Sequence, residues 1–404
     1  MNILMVADVS LQQVIGGAER VLREQALGLV ARGHTVRVLT RMNAVGEPQR
    51  IEIDGVNETR FAVNPRNSVT FFLSSLRNAR QSLASLVTEA IPEVIVVHQA
   101  LPGLVVPGRS KVPMAYVCHS LTHEEYETRT SQPPGATGWL QRRSQSLARQ
   151  WIERMVLRRA HCVIVLSDFM RRRVGECHRV GTDRIRVIPG GVDTEVFSPR
   201  SDPQTVRAAL GLEHDAFVLF TVRNLVPRMG LEALIRMMAR LRGVIPRLKL
   251  LVGGDGPLHS EIERQAKALG LEDCVRLLGF IPESALPDYY RAADLFVLPT
   301  AQLEGFGLVT VEALASGTPV FGTRIGATEE IMGQPDPSLL SSGTDAESLA
   351  AGIERLYRRF TADPGARVRL AEAGRALALR EYTWARHCAQ LEAVLLDVLD
   401  RRGG

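Results

Sequence analysis

With 404 residues the chain is long enough for two or three domains of ordinary size, each burying its own core. Its net charge of +5 comes almost wholly from arginine, lysine occurring only at 111, 249 and 267, while aromatics at 5% and the lack of a nucleic-acid module exclude nucleic acid and leave phosphorylated substrates or anionic membrane surfaces. Five scattered cysteines (Cys118, Cys162, Cys177, Cys274, Cys388), without Cys-x-x-Cys or a His/Cys cluster at zinc-ligand spacing, read as reduced packing residues and predict no metal site.

Met1-Asn2-Ile3-Leu4-Met5-Val6 begins a strand without a basic leader, and no apolar run reaches about 18 residues, so a cytoplasmic or peripheral chain is expected. Residues 2–7 form the first strand. Ile15-Gly16-Gly17-Ala18-Glu19-Arg20 is a glycine turn that feeds an amphipathic helix through Arg32, and residues 35–40 form the next strand. This is a Rossmann-like unit, but its glycines are not spaced Gly-x-Gly-x-x-Gly, so a dinucleotide cofactor is not supported. Residues 43–92 read as an irregular strand and helix region with Phe71, Phe72, Leu73 and Leu76 on an apolar face.

Residues 93–98 and 113–119 are strands, which puts His119 at a carboxyl end, where open α/β sheets bind ligands. A core histidine with satisfied hydrogen bonds is the other reading. His123, Glu124 and Glu125 follow as acceptor contacts among which the spacing selects none. Pro133, Pro134, Gly135 and Gly138 predict a mobile loop, and residues 139–159 a helix with Leu140, Leu147, Trp151 and Met155 on one face and arginines over much of the rest. Such a helix either packs its stripe on its own domain or lies on anionic lipid.

Strands at 162–166 and 185–188 lead to Pro189-Gly190-Gly191-Val192-Asp193, and the polar residues 198–203 mark a boundary. That divides the chain into a first domain, 1–198, a second, 199–382, and a last helical segment, 383–404. In the second, strands 217–223, 249–253, 275–278 and 295–298 alternate with helices, the pattern of a doubly wound α/β domain. Loops at the strand ends, Arg223 to Gly230, Gly253 to Pro257, Gly279-Phe280 and the one after Leu298, should share a crevice. In that last loop Glu304 precedes Gly305 and Gly307, and residues 308–315 form a helix whose first N–H groups attract phosphate. Glu304 and Glu312 flank that anion site, a pattern suited to a sugar nucleotide.

The segment Glu304-Gly-Phe-Gly-Leu-Val-Thr-Val-Glu312, with Ala315-Ser316-Gly317-Thr318-Pro319-Val320 after it, resembles the Glu-x7-Glu motif of the retaining glycosyltransferases of family 4, also called glycosyl transferases group 1. The resemblance implies an α/β chain of two Rossmann-like doubly wound domains facing across a cleft, the GT-B architecture, with 1–198 the acceptor domain, 199–382 the donor domain and the returning helix 383–404 crossing back to the N-terminal domain. It implies that Arg223 holds the diphosphate, Glu304 contacts the transferred sugar, Glu312 binds the ribose hydroxyls and backbone near Phe280 holds the base. Backbone N–H groups of Phe306, Gly307, Leu308 and Val309 would take the diphosphate. Gly16 and Gly17 would lie near the donor phosphates and the acceptor, and His119 beside the donor sugar.

One position departs from the family: Met229 stands where a lysine is usual before Gly230, and Arg228 is a candidate to replace it. No Asp-x-Asp occurs, so no metal and no cofactor is expected beyond a donor such as a UDP- or GDP-sugar. The implied acceptor is a carbohydrate or lipid-linked hydroxyl in polysaccharide or glycolipid assembly, with peripheral contact at the inner face of the membrane. The rival readings are a sugar-nucleotide 2-epimerase of the same architecture and a catalytically inactive nucleotide-sugar-binding subunit.

Overall fold

The apolar runs read as strands are strands in a computed structural model of the chain, which describes residues 1–12, 14–44, 46–108, 110–128, 136–200, 202–334 and 336–403. The loop expected at 133–135 lies outside the described residues. Two units emerge: one holds Met1–Tyr126 with residues 136–190 and 384–403, the other Gly191–Thr383 with Glu127 and Thr128.

The first unit contains β1 (Asn2–Val6), β2 (Thr35–Arg41), β3 (Arg50–Ile53), β4 (Val56–Phe61), β5 (Val94–Val97), β6 (Met114–Cys118), β7 (Cys162–Val165) and β8 (Ile185–Val187). They form one sheet in the order β3-β4-β2-β1-β5-β6-β7-β8, parallel except for β3. Residues of β1, β5, β6 and β7 are buried along almost their whole length, because helices cover both faces of a parallel sheet. That is why these strands are continuous apolar runs in the sequence.

Residues 43–92 are more regular than expected. β3 and β4 form a hairpin whose two turn residues, Asp54 and Gly55, both have positive φ (48° and 84°), the turn that matches the twist of the paired strands. Helix Ser68–Glu89 follows, capped by Asn67, whose side chain accepts from the Thr70 N–H. The last helix, Trp384–Gly403, packs on Gly17–Ala31. Glu392 accepts from Arg32 Nε at 2.7 Å and pairs with His34 Nε2 at 2.7 Å, and His387 meets Gln25 at 2.8 Å. Among the described residues no helix is long and apolar enough to cross a membrane.

The second unit has β9 (Phe217–Val222), β10 (Leu248–Gly253), β11 (Val275–Gly279), β12 (Leu295–Leu298) and β13 (Val320–Gly322). All are parallel, in the order β11-β10-β9-β12-β13. The order reverses between β9 and β12, so the ends of those two strands form the topological switch point where such sheets bind ligands. Helix Leu231–Leu241 buries Leu231, Leu234, Ile235, Met238 and Leu241, at helical spacing, and leaves Arg236 and Arg240 outside.

Candidate active site

Five strand-end loops of the second unit are tied sideways by backbone hydrogen bonds. Arg223 N–H donates to Gly253 O (3.0 Å), Gly254 N–H to Gly279 O (2.7 Å), Ala301 N–H to Arg228 O (2.9 Å) and Ala327 N–H to Glu304 O (2.9 Å). Loops after β9, β10, β11, β12 and β13 therefore hold one another in place. The last contact needs a glycine: Gly326 has φ +63°, and a Cβ there would lie 2.1 Å from Glu304 O.

Within this frame Arg223, just past β9, reaches Glu304 in the loop after β12. Its Nη2 donates to Glu304 Oε2 at 2.5 Å and its Nη1 to Thr300 Oγ1 at 2.6 Å, and the Thr300 hydroxyl donates to the same carboxylate oxygen at 2.8 Å. Arg223 and Glu304 are both buried. Burial alone would raise the Glu304 pKa, but the charge and hydrogen bond of Arg223, then Thr300 and the charge of Arg228, hold it below the usual carboxylate range. Arg228 Nη1 donates to Leu303 O at 2.8 Å, so it too lies against the Glu304 loop.

Glu312 is buried on helix Leu308–Ala315 with a different partner, the hydroxyl of fully buried Tyr290, which donates to its Oε2 at 2.9 Å. Gly307, with φ +84°, is the N-cap of that helix, so the Leu308 and Val309 N–H groups belong to its first turn. The Phe306 ring is buried edge-on against Tyr382, and Phe280, after β11, is 62% exposed. Thr300, Tyr290 and Gly326 were not singled out in the sequence. Thr300 was within reach of sequence reasoning, being a polar residue two positions beyond a strand of the switch point.

His119, Gly16 and Gly17 belong to the first unit. His119, past β6, stacks on His98, past β5, with ring centroids 5.3 Å apart and His98 Nδ1 3.2 Å from His119 Nε2. His119 Nδ1 and His98 Nε2 have no partner among the described residues. Burial, then the nearby charge of His387, lowers the His119 pKa to about 4. Gly16 is the N-cap of helix Gly17–Ala31 and accepts from the Arg20 N–H at 3.2 Å. His123 is buried against Glu153, and Glu124 pairs with Arg173.

These histidines make stability depend on pH. Burial, and next the charge of His119, pushes His98 well below its usual range; burial lowers His387 to about 4 against the opposing effect of its hydrogen bond to Pro189 O. The unfolded chain takes up these protons near pH 6.5, whereas folded His119 and His387 do not until about pH 4, so stability falls as pH drops through that window. Melting temperature measured from pH 7 to pH 4 should decline, with a shallower slope in His387→Gln.

A family model described as Glycosyl transferases group 1 matches residues 202–377, and one described as Glycosyltransferase Family 4 matches residues 15–196. The chain is 31% identical over 255 residues to a GDP-mannose-dependent alpha-(1-6)-phosphatidylinositol monomannoside mannosyltransferase of Mycolicibacterium smegmatis, covering 60% of this chain and 65% of that relative, a little under two thirds of its length. It is 27% identical over 380 residues to a D-inositol 3-phosphate glycosyltransferase of Kribbella flavida, covering 89% of this chain and 85% of the relative. Sucrose-phosphate synthase from Thermosynechococcus elongatus has a similar structure, with TM-score 0.83 and 25% identity over 99% of this chain and 100% of that one, which makes the fold GT-B. With one model on each half, and with the paired glutamates and the basic strand-end loop inside the second, the chain belongs to the family 4 glycosyltransferases, the glycosyl transferases group 1 family.

Proposed function

We propose that the protein is a retaining glycosyltransferase that moves a sugar from a nucleoside diphosphate to an acceptor hydroxyl in polysaccharide or glycolipid assembly, with no divalent metal on the diphosphate. The observation that carries this reading is the buried Arg223–Thr300–Glu304 group at the switch point, beside the start of helix Leu308–Ala315. A fixed cation beside a run of backbone N–H groups is what binding a diphosphate requires, which supports the reading. Arg223, Arg228 and the N–H groups of Phe306 to Val309 take the diphosphate, Glu304 the transferred sugar, Glu312 the ribose, and backbone near Phe280 the base. By likeness to the family, His119 serves the transferred sugar, and Gly16 and Gly17 the phosphates and acceptor.

The C1–O bond breaks toward an oxocarbenium-like state, the electron pair leaves with the β-phosphate, and the acceptor oxygen bonds to C1 on the face vacated. Its proton passes to the departing phosphate. The cations stabilise charge that grows on that phosphate, so their effect is larger in the transition state than in the ground state. The names of the relatives support GDP-mannose as a donor and inositol phosphates or phosphatidylinositol mannosides as acceptors.

Incubation with UDP-, GDP- and ADP-sugars, with and without a lipid-linked acceptor, tests the reading. Transfer with retained anomeric configuration is expected, without added Mg²⁺ or Mn²⁺ and after brief EDTA treatment. Acceptor-independent inversion at C2 would make the chain an epimerase, and nucleotide binding without turnover an inactive subunit. Loss of activity that Mn²⁺ restores would overturn the metal-free diphosphate site.

The helix Ala136–Arg159 supports peripheral attachment at the cytoplasmic membrane face. Trp139, Leu140, Leu147 and Trp151 are 53, 65, 54 and 61% exposed, so these side chains do not pack on their own unit, while Met155 at the end of the stripe is half-buried. Arg143 lies over the Trp139 ring at 5.6 Å, and tryptophan interleaved with arginine suits a headgroup boundary. Flotation with anionic vesicles at low ionic strength should carry the protein upward. High salt, neutral vesicles or a Trp139→Ala/Trp151→Ala variant should each weaken binding about tenfold or more. Equal flotation on neutral vesicles would remove the electrostatic part of this proposal.

A further inference from the structure

Three side chains that the donor reading leaves unused converge inside the first unit. His123 Nδ1 lies 3.3 Å from Glu153 Oε2, and His178 Nε2 lies 3.0 Å from the same oxygen. The three donor atoms fall within 4.8 Å of one another. Each residue comes from a different helix, Thr122–Glu127, Ala136–Arg159 and Asp168–His178. The Glu153 and His178 side chains are fully buried and that of His123 is 8% exposed.

We propose that this group holds a Zn²⁺ ion, with a water completing the tetrahedron, and so ties the three helices together. Ligands bound at about 2.0–2.1 Å in a tetrahedron stand about 3.3–3.4 Å apart, so the two separations to Glu153 Oε2 need change by only a few tenths of an ångström, and His123 Nδ1 and His178 Nε2 lie within 4.8 Å of each other before any metal enters. Two imidazoles and one carboxylate form a donor set that Zn²⁺ accepts, whereas Ca²⁺ and Mg²⁺ require more oxygen than one carboxylate supplies. The carboxylate is also oriented from behind, because Glu153 Oε1 accepts from the Thr122 N–H and hydroxyl at 3.2 Å each.

Thr122–Glu127 begins only three residues after His119, so a metal here would fix the segment that follows that histidine. This inference stands on the histidines and Glu153 alone and does not depend on the donor reading.

The test uses the full chain, dialysed against a chelator and titrated with Zn²⁺ near neutral pH by calorimetry, with melting temperature followed in parallel. Saturation at one Zn²⁺ per chain is expected, with a rise in melting temperature that Mg²⁺ does not reproduce and weaker binding at lower pH as protons compete for the imidazoles. Glu153→Gln and His178→Gln should weaken Zn²⁺ binding about 100-fold or more, since loss of a ligand should cost at least as much as loss of an outer hydrogen bond. Because either change is deep in the core, His123→Asn at the more exposed edge is measured too, with circular dichroism as the control for folding, and should show the same loss. Absence of saturable binding at one equivalent, or wild-type affinity in folded His123→Asn, overturns the proposal.

Discussion

Glu304→Gln should turn over about a thousandfold or more slower than wild type, about 4 kcal/mol of transition-state stabilisation. Glu304 is the group on which Arg223 and Thr300 both converge, so changing it alters both the contact proposed for the transferred sugar and the orientation of the diphosphate cation. Glutamine has nearly the same shape but presents either a neutral oxygen or an N–H to the guanidinium. The loss should therefore fall mainly on kcat. Breaking a buried ion pair by removing one partner costs about 3–5 kcal/mol of stability, so the assay must run well below the variant's melting temperature. Arg223→Ala should lose at least as much activity and bind nucleotide more weakly too, while Glu312→Gln should act chiefly on KM for the donor. Wild-type turnover in folded Glu304→Gln would remove the carboxylate from the reaction.

Arg228→Ala should lower kcat about a hundredfold, near 2.7 kcal/mol, the usual effect of losing one preorganised donor to developing charge. The residue before Gly230 is methionine, which cannot supply that charge, and Met229 is buried in the turn Pro227–Met229. Arg228, in the same turn, donates to Leu303 O and is one of the charges that lower the Glu304 pKa, so it lies next to the proposed diphosphate site. Met229→Lys would force an ammonium into the space of a buried thioether. It should lower the melting temperature and leave kcat little changed if Arg228 already serves. Should Arg228→Ala turn over normally while Met229→Lys is many-fold faster, Arg228 has not taken the lysine's place and the diphosphate clamp is a weakened one.

Much of the scaffold was legible from local pattern. Strands buried on both faces, such as β1 and β12, must be continuous apolar runs, and Gly305 and Gly307 between two glutamates mark a loop entering a helix. The β3–β4 hairpin was harder to read, because β3 lies at the sheet edge and its alternation, Arg50-Ile51-Glu52-Ile53, runs for only four residues with neither isoleucine fully buried. The helix Ala136–Arg159 has a readable period, but whether Leu147 and Trp151 meet a core or solvent depends on what lies against them.

By itself the sequence determined that strands alternate with helices, that glycine-rich and basic loops follow them, and that Glu304 and Glu312 bracket a helix start. Those properties follow from the repeat of apolar side chains along one segment and from the conformations glycine allows. Only the tertiary structure decided which side chains of those loops pair. Arg223 pairs with Glu304 across 81 residues because β12 lies beside β9 in the sheet, although β10 and β11 come between them in the chain. Likewise His123, Glu153 and His178, 30 and 25 residues apart, have no recognisable metal spacing and come together only because three helices pack at one place. Periodicity is a property of neighbours in sequence, whereas a site is made by strand order and helix packing, which no single segment encodes.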